Sequence, residues 1–115
     1  MAGPWLETTA LGHCLVARVT GEMDYRTAAT FRAQFNELIR QGDRPIVLDL
    51  TSVSFCDSAG LGVLLGARRQ AATNETMLAL ACVPLPLRQI LEMTGADQVL
   101  PVYDTVDDAA AALGS

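Results

Sequence analysis

The sequence contains no lysine and a single histidine, His13. A Walker-type phosphate loop needs G-x-x-x-x-G-K-[ST], and the glycine-rich run GLGVLLGAR puts five residues between Gly60 and Gly66 and offers no ammonium group. No histidine follows the exposed-looking Ser58, so a serine hydrolase, whose acid and histidine come after the nucleophile, is excluded as well. His13 opens an early strand and reads as structural or exposed. Cationic charge is scarce: eight arginines face thirteen acids for a net charge of −5. Affinity for a phosphate backbone comes mostly from Lys and Arg displacing counterions, so nucleic acid is not an expected partner. Cys14, Cys56 and Cys82 are odd in number and widely spaced without a C-x-x-C, which indicates neither a disulfide framework nor a zinc knuckle. Reduced, buried thiols are the plain reading. The most apolar segment, MLALACVPLPL (77–87), is well short of the ~20 residues a bilayer requires and carries two prolines. MAGPWLETTALG lacks a basic stretch followed by an apolar one, so no secretory signal is expected. A soluble cytoplasmic protein with no membrane contact is the expectation.

Half the residues are hydrophobic and only 18% are charged, the opposite of a disordered composition. With no low-complexity linker, repeat or charge block, residues 1–115 read as a single domain. HCLVARVTG (13–21) alternates as an interior strand, and WLETTAL (5–11) pairs with it across Gly12 as an edge hairpin. From Tyr25 to Gln41, Ala28, Phe31, Phe35, Leu38 and Ile39 recur at steps of three and four, the spacing of one helical face, with Asp24 as its cap and Gly42 as its end. PIVLDL (45–50) is a strand covered on both faces. A helix over about 59–72 follows, with Leu61, Leu64, Leu65 and the stem of Arg68 on its inner side. MLALACV (77–83) is the next buried strand. Pro86 starts a short helix carrying Leu87, Ile90 and Leu91, and Gly95 closes it. VLPV (99–102) is a last strand, and Thr105 caps a final helix with Asp107 and Asp108 in its first turn. This alternation predicts an α/β fold with right-handed crossovers: a mainly parallel mixed sheet of about four to five strands with about four helices.

FCDSAGLG (55–62) therefore lies beyond a strand C-terminus, where ligand and partner sites of such sheets gather. A dinucleotide fingerprint fails because Leu65 takes the third glycine position. No loop supports a bound nucleotide, cofactor or metal. Asp57 or Ser58 is a good helix N-cap, and Gly60 and Gly62 permit close packing against the sheet. Capping and function are compatible here, because a hydroxyl at a helix start is partly exposed and faces the positive end of the dipole, where phosphate is tolerated.

Two segments, VTGEMDYRTA (19–28) and IVLDLTSVSFCDSAGLG (46–62), resemble the V-x-G-E-L-D-x-x-T-A and I-V-L-D-L-x-x-V-x-F-x-D-S-S/A-G-L-G patterns of STAS domains of the anti-sigma-factor antagonist type, from sporulation and general stress pathways. A third, LRQILEMTGADQVLPVYDTVDDAAAAL (87–113), is similar to that family's short helix, turn, last strand and last helix. The resemblance implies a STAS-type fold and a binding switch rather than an enzyme. In that family the serine directly after the Asp is phosphorylated by an anti-sigma factor that is itself a histidine-kinase-like serine kinase; the matching residue is Ser58. The unphosphorylated protein binds the kinase and releases its sigma factor, and a PP2C-type phosphatase restores that state. Partner contacts are then expected at Asp24, Asp57, Ser58, Gly60, Leu61 and Gly62. Asp24 and Asp57 have capping as their alternative role, the two glycines close packing, and Leu61 the core. Ala59 replaces a common second serine, which leaves Ser58 as the one hydroxyl of the motif; Met23 replaces a leucine; and Asn74, Glu75 and Thr76 stand where many relatives have glycines. The resemblance leaves a monomer or a weak homodimer through the edge strand open. A STAS scaffold without the phosphorylation switch is the alternative function.

Overall fold

Strand and helix alternate along the chain in the structure, a computed structural model that describes residues 5–41 and 44–114. β1 (Trp5–Leu11) and β2 (Cys14–Met23) form the expected hairpin, in register from Trp5 opposite Thr20 to Leu11 opposite Cys14. Gly12 takes φ +60°, the sign required of the first central residue of a type II′ turn, and exposed His13 completes the turn. Then come α1 (Ala28–Gln41), β3 (Ile46–Cys56), α2 (Ser58–Thr73), β4 (Leu78–Ala81), α3 (Leu85–Thr94), a single 3₁₀ turn at Ala96–Gln98, β5 (Val102–Tyr103) and α4 (Val106–Gly114). The strands lie in the order β1-β2-β3-β4-β5; only β1 runs antiparallel to its neighbour, and the other pairs are parallel. The α/β, mainly parallel mixed sheet implied by the sequence is therefore the observed one. Among the described residues no helix is long and apolar enough to cross a membrane.

The two faces of the sheet are covered unequally. On one, α1, α2 and α3 close the larger core: Phe31 and Phe35, with ring centroids 5.8 Å apart, pack with Leu64, Leu87 and Leu91 over Ile46, Leu48, Leu50 and Leu80. Each such large apolar side chain contributes roughly 1.5–3 kcal/mol by leaving water. On the other face α4 lies alone, its Ala109 buried against Cys14, Val47, Ala79 and Ala81. Thr105 caps α4 as expected, accepting from the Asp108 N–H at 3.0 Å, and Pro86 and the left-handed Gly95 bracket α3.

Several boundaries differ from the sequence reading. The first helix begins at Ala28 rather than Tyr25, because Asp24 caps a turn before the helix instead of the helix itself; the expected end cap, Gly42, lies outside the described residues. β3 runs six residues past Leu50. Two register shifts against β2 insert a residue each, so the inward series lengthens from steps of two (Ile46, Leu48, Leu50) to steps of three (Val53, Cys56) and loses its alternating signature. The last strand is Val102–Tyr103: the N–H groups of Val99 and Leu100 both bond the Ala96 carbonyl, which keeps that pair in the 3₁₀ turn. On α2, Val63 and Ala67 join Leu61 and Leu64 inside, Leu65 is half-buried, and Arg68 is exposed, its Nε donating to the Val99 carbonyl at 3.1 Å.

After α2 the chain turns through Asn74 and Glu75, and Glu75 is held at φ +57°. An L side chain pays about 1–2 kcal/mol for that conformation, and glycine pays nothing but costs more entropy on folding. Glu75→Gly is expected to stabilise the protein by about 0.5–1 kcal/mol, a rise of a few degrees in Tm by thermal melting. An unchanged or lower Tm would show that the turn carries no strain.

Candidate functional site at the sheet end

The site is built where β2 and β3 both stop. The Asp57 N–H donates to the Met23 carbonyl at 3.1 Å, tying the end of β3 to the end of β2. Asp57 then caps α2: it takes an extended conformation and its Oδ1 accepts from Ala59 N at 2.9 Å and Gly60 N at 3.0 Å, the second and third helical residues. This places Ser58 as the first helical residue, exposed, at the positive end of the helix dipole. Gly60 is buried against Met23, and a Cβ built there would overlap the Met23 carbonyl oxygen. The close-packing role expected of both glycines belongs to Gly60 alone. Gly62 is exposed and a Cβ there would meet nothing within 4 Å.

Asp24 is 4% exposed. Its Oδ1 accepts from the N–H groups of Arg26 at 2.9 Å and Thr27 at 3.2 Å, and its Oδ2 from Arg26 Nη2 at 2.9 Å. The Arg26 guanidinium, helped by those two backbone donors, holds the carboxyl below its ordinary value although burial pulls the other way. Asp24 is therefore spent within its own turn, and what the turn shows to solvent is Tyr25, 78% exposed. Because the folded pKa lies below the unfolded one, Asp24 stabilises the fold fully above about pH 5 and loses that contribution as pH falls through the folded pKa. Glu37, lowered by Arg40 and Gln41, has the same sign. Asp24→Asn, which keeps an oxygen for the two backbone N–H groups and removes both the charge and the acceptor facing Arg26 Nη2, is expected to flatten the acid limb of urea midpoint against pH without abolishing it. A limb as steep as that of the native protein would remove Asp24 from the acid response.

Of the six residues singled out by the sequence, Ser58 and Gly62 are exposed, Asp57 is half-buried, and Asp24, Gly60 and Leu61 are buried. Leu61, 8% exposed, is part of the core beneath the site. Sequence reasoning missed three apolar side chains standing in water at this end of the sheet: Tyr25, Phe55 at 53% and Leu85 at 65% exposure. Cys56 is buried beside Asp57, and burial first, then that carboxylate, pushes its thiol up to about 11. It is a neutral hydrophobe at physiological pH and not a thiolate nucleophile.

A family model for the STAS domain matches residues 6–109. The chain belongs to the STAS domain family. The anti-sigma F factor antagonist of Paenibacillus polymyxa is 36% identical over 91 residues, 78% of each chain. Among solved structures, an anti-sigma factor antagonist from Mycobacterium paratuberculosis is 26% identical and superposes with a TM-score of 0.87 over 98% of this chain and 96% of its own. The anti-sigma factor antagonist SpoIIAA in its unphosphorylated form is 25% identical with a TM-score of 0.67, 96% of each chain being covered, and a Bacillus SpoIIAA in the phosphorylated form superposes with a TM-score of 0.68 at 24% identity, covering 96% of this chain and 98% of its own. This STAS domain thus shares its family and fold with antagonists of anti-sigma factors, and its D-S-A-G-L-G segment caps the helix at the sheet end.

Proposed function

We propose that this STAS domain is an anti-sigma-factor antagonist whose unphosphorylated form binds an anti-sigma factor of the histidine-kinase-like serine kinase type and frees its sigma factor, and that phosphorylation of Ser58 ends the interaction. The observation that carries the reading is the placement of Ser58: a solvent-exposed hydroxyl on the first residue of α2, one position after the capping Asp57, where the ends of β2 and β3 are tied together. A kinase needs a hydroxyl clear of the core, and a switch needs that hydroxyl inside the contact surface. The start of α2 offers both.

Phosphate adds about −1.5 to −2 charges and three strong acceptors. The amides of Ala59 and Gly60 already donate to Asp57, so the added charge stands beside a carboxylate with those two donors taken. Facing a partner surface with no cation opposite, it costs several kcal/mol of binding. Removal by a PP2C-type phosphatase resets the switch. The chain acts as substrate and ligand rather than as catalyst. The relation to SpoIIAA, solved in both phosphorylation states, supports the reading.

Site-resolved mass spectrometry of the protein from its native cells, with phosphatases inhibited and with and without stress, is the test. Phosphate on Ser58 that varies with conditions is the expected result. A well-covered Ser58 that never carries phosphate would overturn the switch and leave a STAS scaffold with Ser58 as part of a helix start.

A further inference from the structure

From Leu50 to Cys56, just before Ser58, the sheet is left unfinished. β3 pairs with β4 only from Ile46 to Asp49, while on its other side it remains paired with β2 as far as Cys56. Past Asp49, β3 therefore has a strand on one side only. On the other side lies a groove of about 220 Å³ between it and the start of α3, lined by Val53, Phe55 and Cys56 from the strand and Pro84, Leu87 and Ile90 from the helix side. Among the described residues Ser54 is the one polar hydroxyl that lines it, and no charged side chain does. Exposed Phe55 stands in its wall, and exposed Leu85 lies between Pro84 and Pro86, two prolines that fix the backbone there.

We propose that this groove receives one aromatic or large aliphatic side chain of the same kinase that acts on Ser58, and so serves as the anchor of that complex. The inference rests on the reading of Ser58 given above. Size decides the class of occupant: small-molecule sites run to about 300–1,000 Å³, whereas an apolar cavity of about 150 Å³ takes up a benzene ring. Position decides whose side chain it is. Phe55 is three residues from Ser58, at most about 11 Å along an extended chain. An ordinary interface covers about 800 Å² of each partner, a disc of roughly 16 Å radius, so a protein seated over Ser58 also covers the groove. Energetics give the groove its part. Polar contacts around Asp57 and Ser58 are largely offset by desolvation, while a buried aromatic or aliphatic anchor in a dry pocket is where binding energy concentrates. The phosphate changes the charged part of the surface and leaves the anchor itself in place, so the groove sets which kinase docks and Ser58 sets whether it stays.

The test uses the purified histidine-kinase-like anti-sigma factor that phosphorylates the native chain. Phe55→Ser removes exposed carbon from the groove wall and Leu85→Ser from the position between the two lining prolines, beside the groove rather than in its lining; Met93→Ser, at an 85% exposed position further along α3, is the control. Both groove variants are expected to bind the kinase about tenfold or more weakly and to raise KM for phosphorylation with kcat kept, the signature of lost uniform binding, while Met93→Ser behaves as the native chain. Melting curves superposable on the native one show that folding is intact, and two independent variants keep the test open if one fails to fold. Groove variants that bind within twofold of native, while Ser58→Asp still weakens binding, would overturn the groove and leave the reading of Ser58 standing. Normal binding by Ser58→Asp as well would overturn both. Weakened dephosphorylation or altered self-association with kinase binding unchanged would also overturn the proposal, by assigning the groove to the phosphatase or to a second copy of the chain.

Discussion

Ser58→Asp is expected to weaken kinase binding at least tenfold, and stoichiometric phosphate on Ser58 a hundredfold or more, with Ser58→Ala and Ser58→Asn binding as the native chain does. A hundredfold corresponds to about 2.7 kcal/mol, a modest share of what a doubly charged group loses when it is pressed against a surface with no cation to receive it. Aspartate carries half that charge and lacks the three acceptors, hence the smaller effect. Asparagine has the shape of aspartate without the charge, so it separates repulsion from crowding. Stability moves the other way. Ser58 is exposed and occupies the first helical position of α2, where a carboxylate interacts favourably with the dipole, by about 0.3–1 kcal/mol. Ser58→Asp should therefore melt no lower than native while it binds worse, which rules out unfolding as the cause. Dissociation constants by calorimetry and melting temperatures on the same samples are the measurements. Equal binding by Ser58→Asp and Ser58→Asn, whether both strong or both weak, would defeat the electrostatic account.

Much of this arrangement is legible in the sequence because the relevant chemistry is local. An Asp at the start of a helical segment offers its carboxylate to the N–H groups two and three residues on, and Asp57 caps α2 in that way despite the two glycines of the first turns. The order of strands and helices follows from apolar spacing, and so do the buried residues of α1. What the sequence hid depends on partners that are distant along the chain. Val53 and Phe55 lie beyond the strand read at 45–50, and although their spacing of two is that of one strand face, the register shift against Gly21 and Glu22 turns Phe55 outward and brings Cys56 in. Asp24 reads as a cap or a partner contact; only the fold shows its near-complete burial and the commitment of both oxygens to Arg26 and Thr27 in a turn before the helix. The exposed Tyr25 is a consequence of that turn, since a helix starting one residue after Asp24 would have placed it differently. Burial of Gly60 and exposure of Gly62 are invisible for the same reason: the difference lies in Met23, which is far away in sequence and beneath only one of them.

That difference yields opposite effects from the same substitution. Gly60→Ala would drive a methyl group into the Met23 carbonyl and to 2.8 Å from Cys56 Sγ. The first obstacle is backbone, which cannot rotate aside, so the start of α2 must lift from the end of β2. Lifting strains the Asp57 N–H to Met23 carbonyl bond that joins the two strand ends. Overpacking at about 1–3 kcal/mol and a weakened buried hydrogen bond at about 0.5–1.5 kcal/mol together give a loss of about 2–4 kcal/mol, a large share of the 5–15 kcal/mol that holds a domain folded. Gly62→Ala does the reverse. It adds a methyl in open space inside a helix, where alanine exceeds glycine by about 0.5–1 kcal/mol. Urea unfolding of both variants is expected to move the midpoint down for the first and up for the second. The pair also bears on the proposed switch, because Gly60 seats the turn that carries Ser58: if Ser58 is the kinase's target, a folded fraction of Gly60→Ala should be a poorer substrate, with its hydroxyl displaced along with the helix start. Gly60→Ala within about 0.5 kcal/mol of native would mean that α2 is not seated on Met23, and the tie between the two strand ends would no longer explain where Ser58 stands.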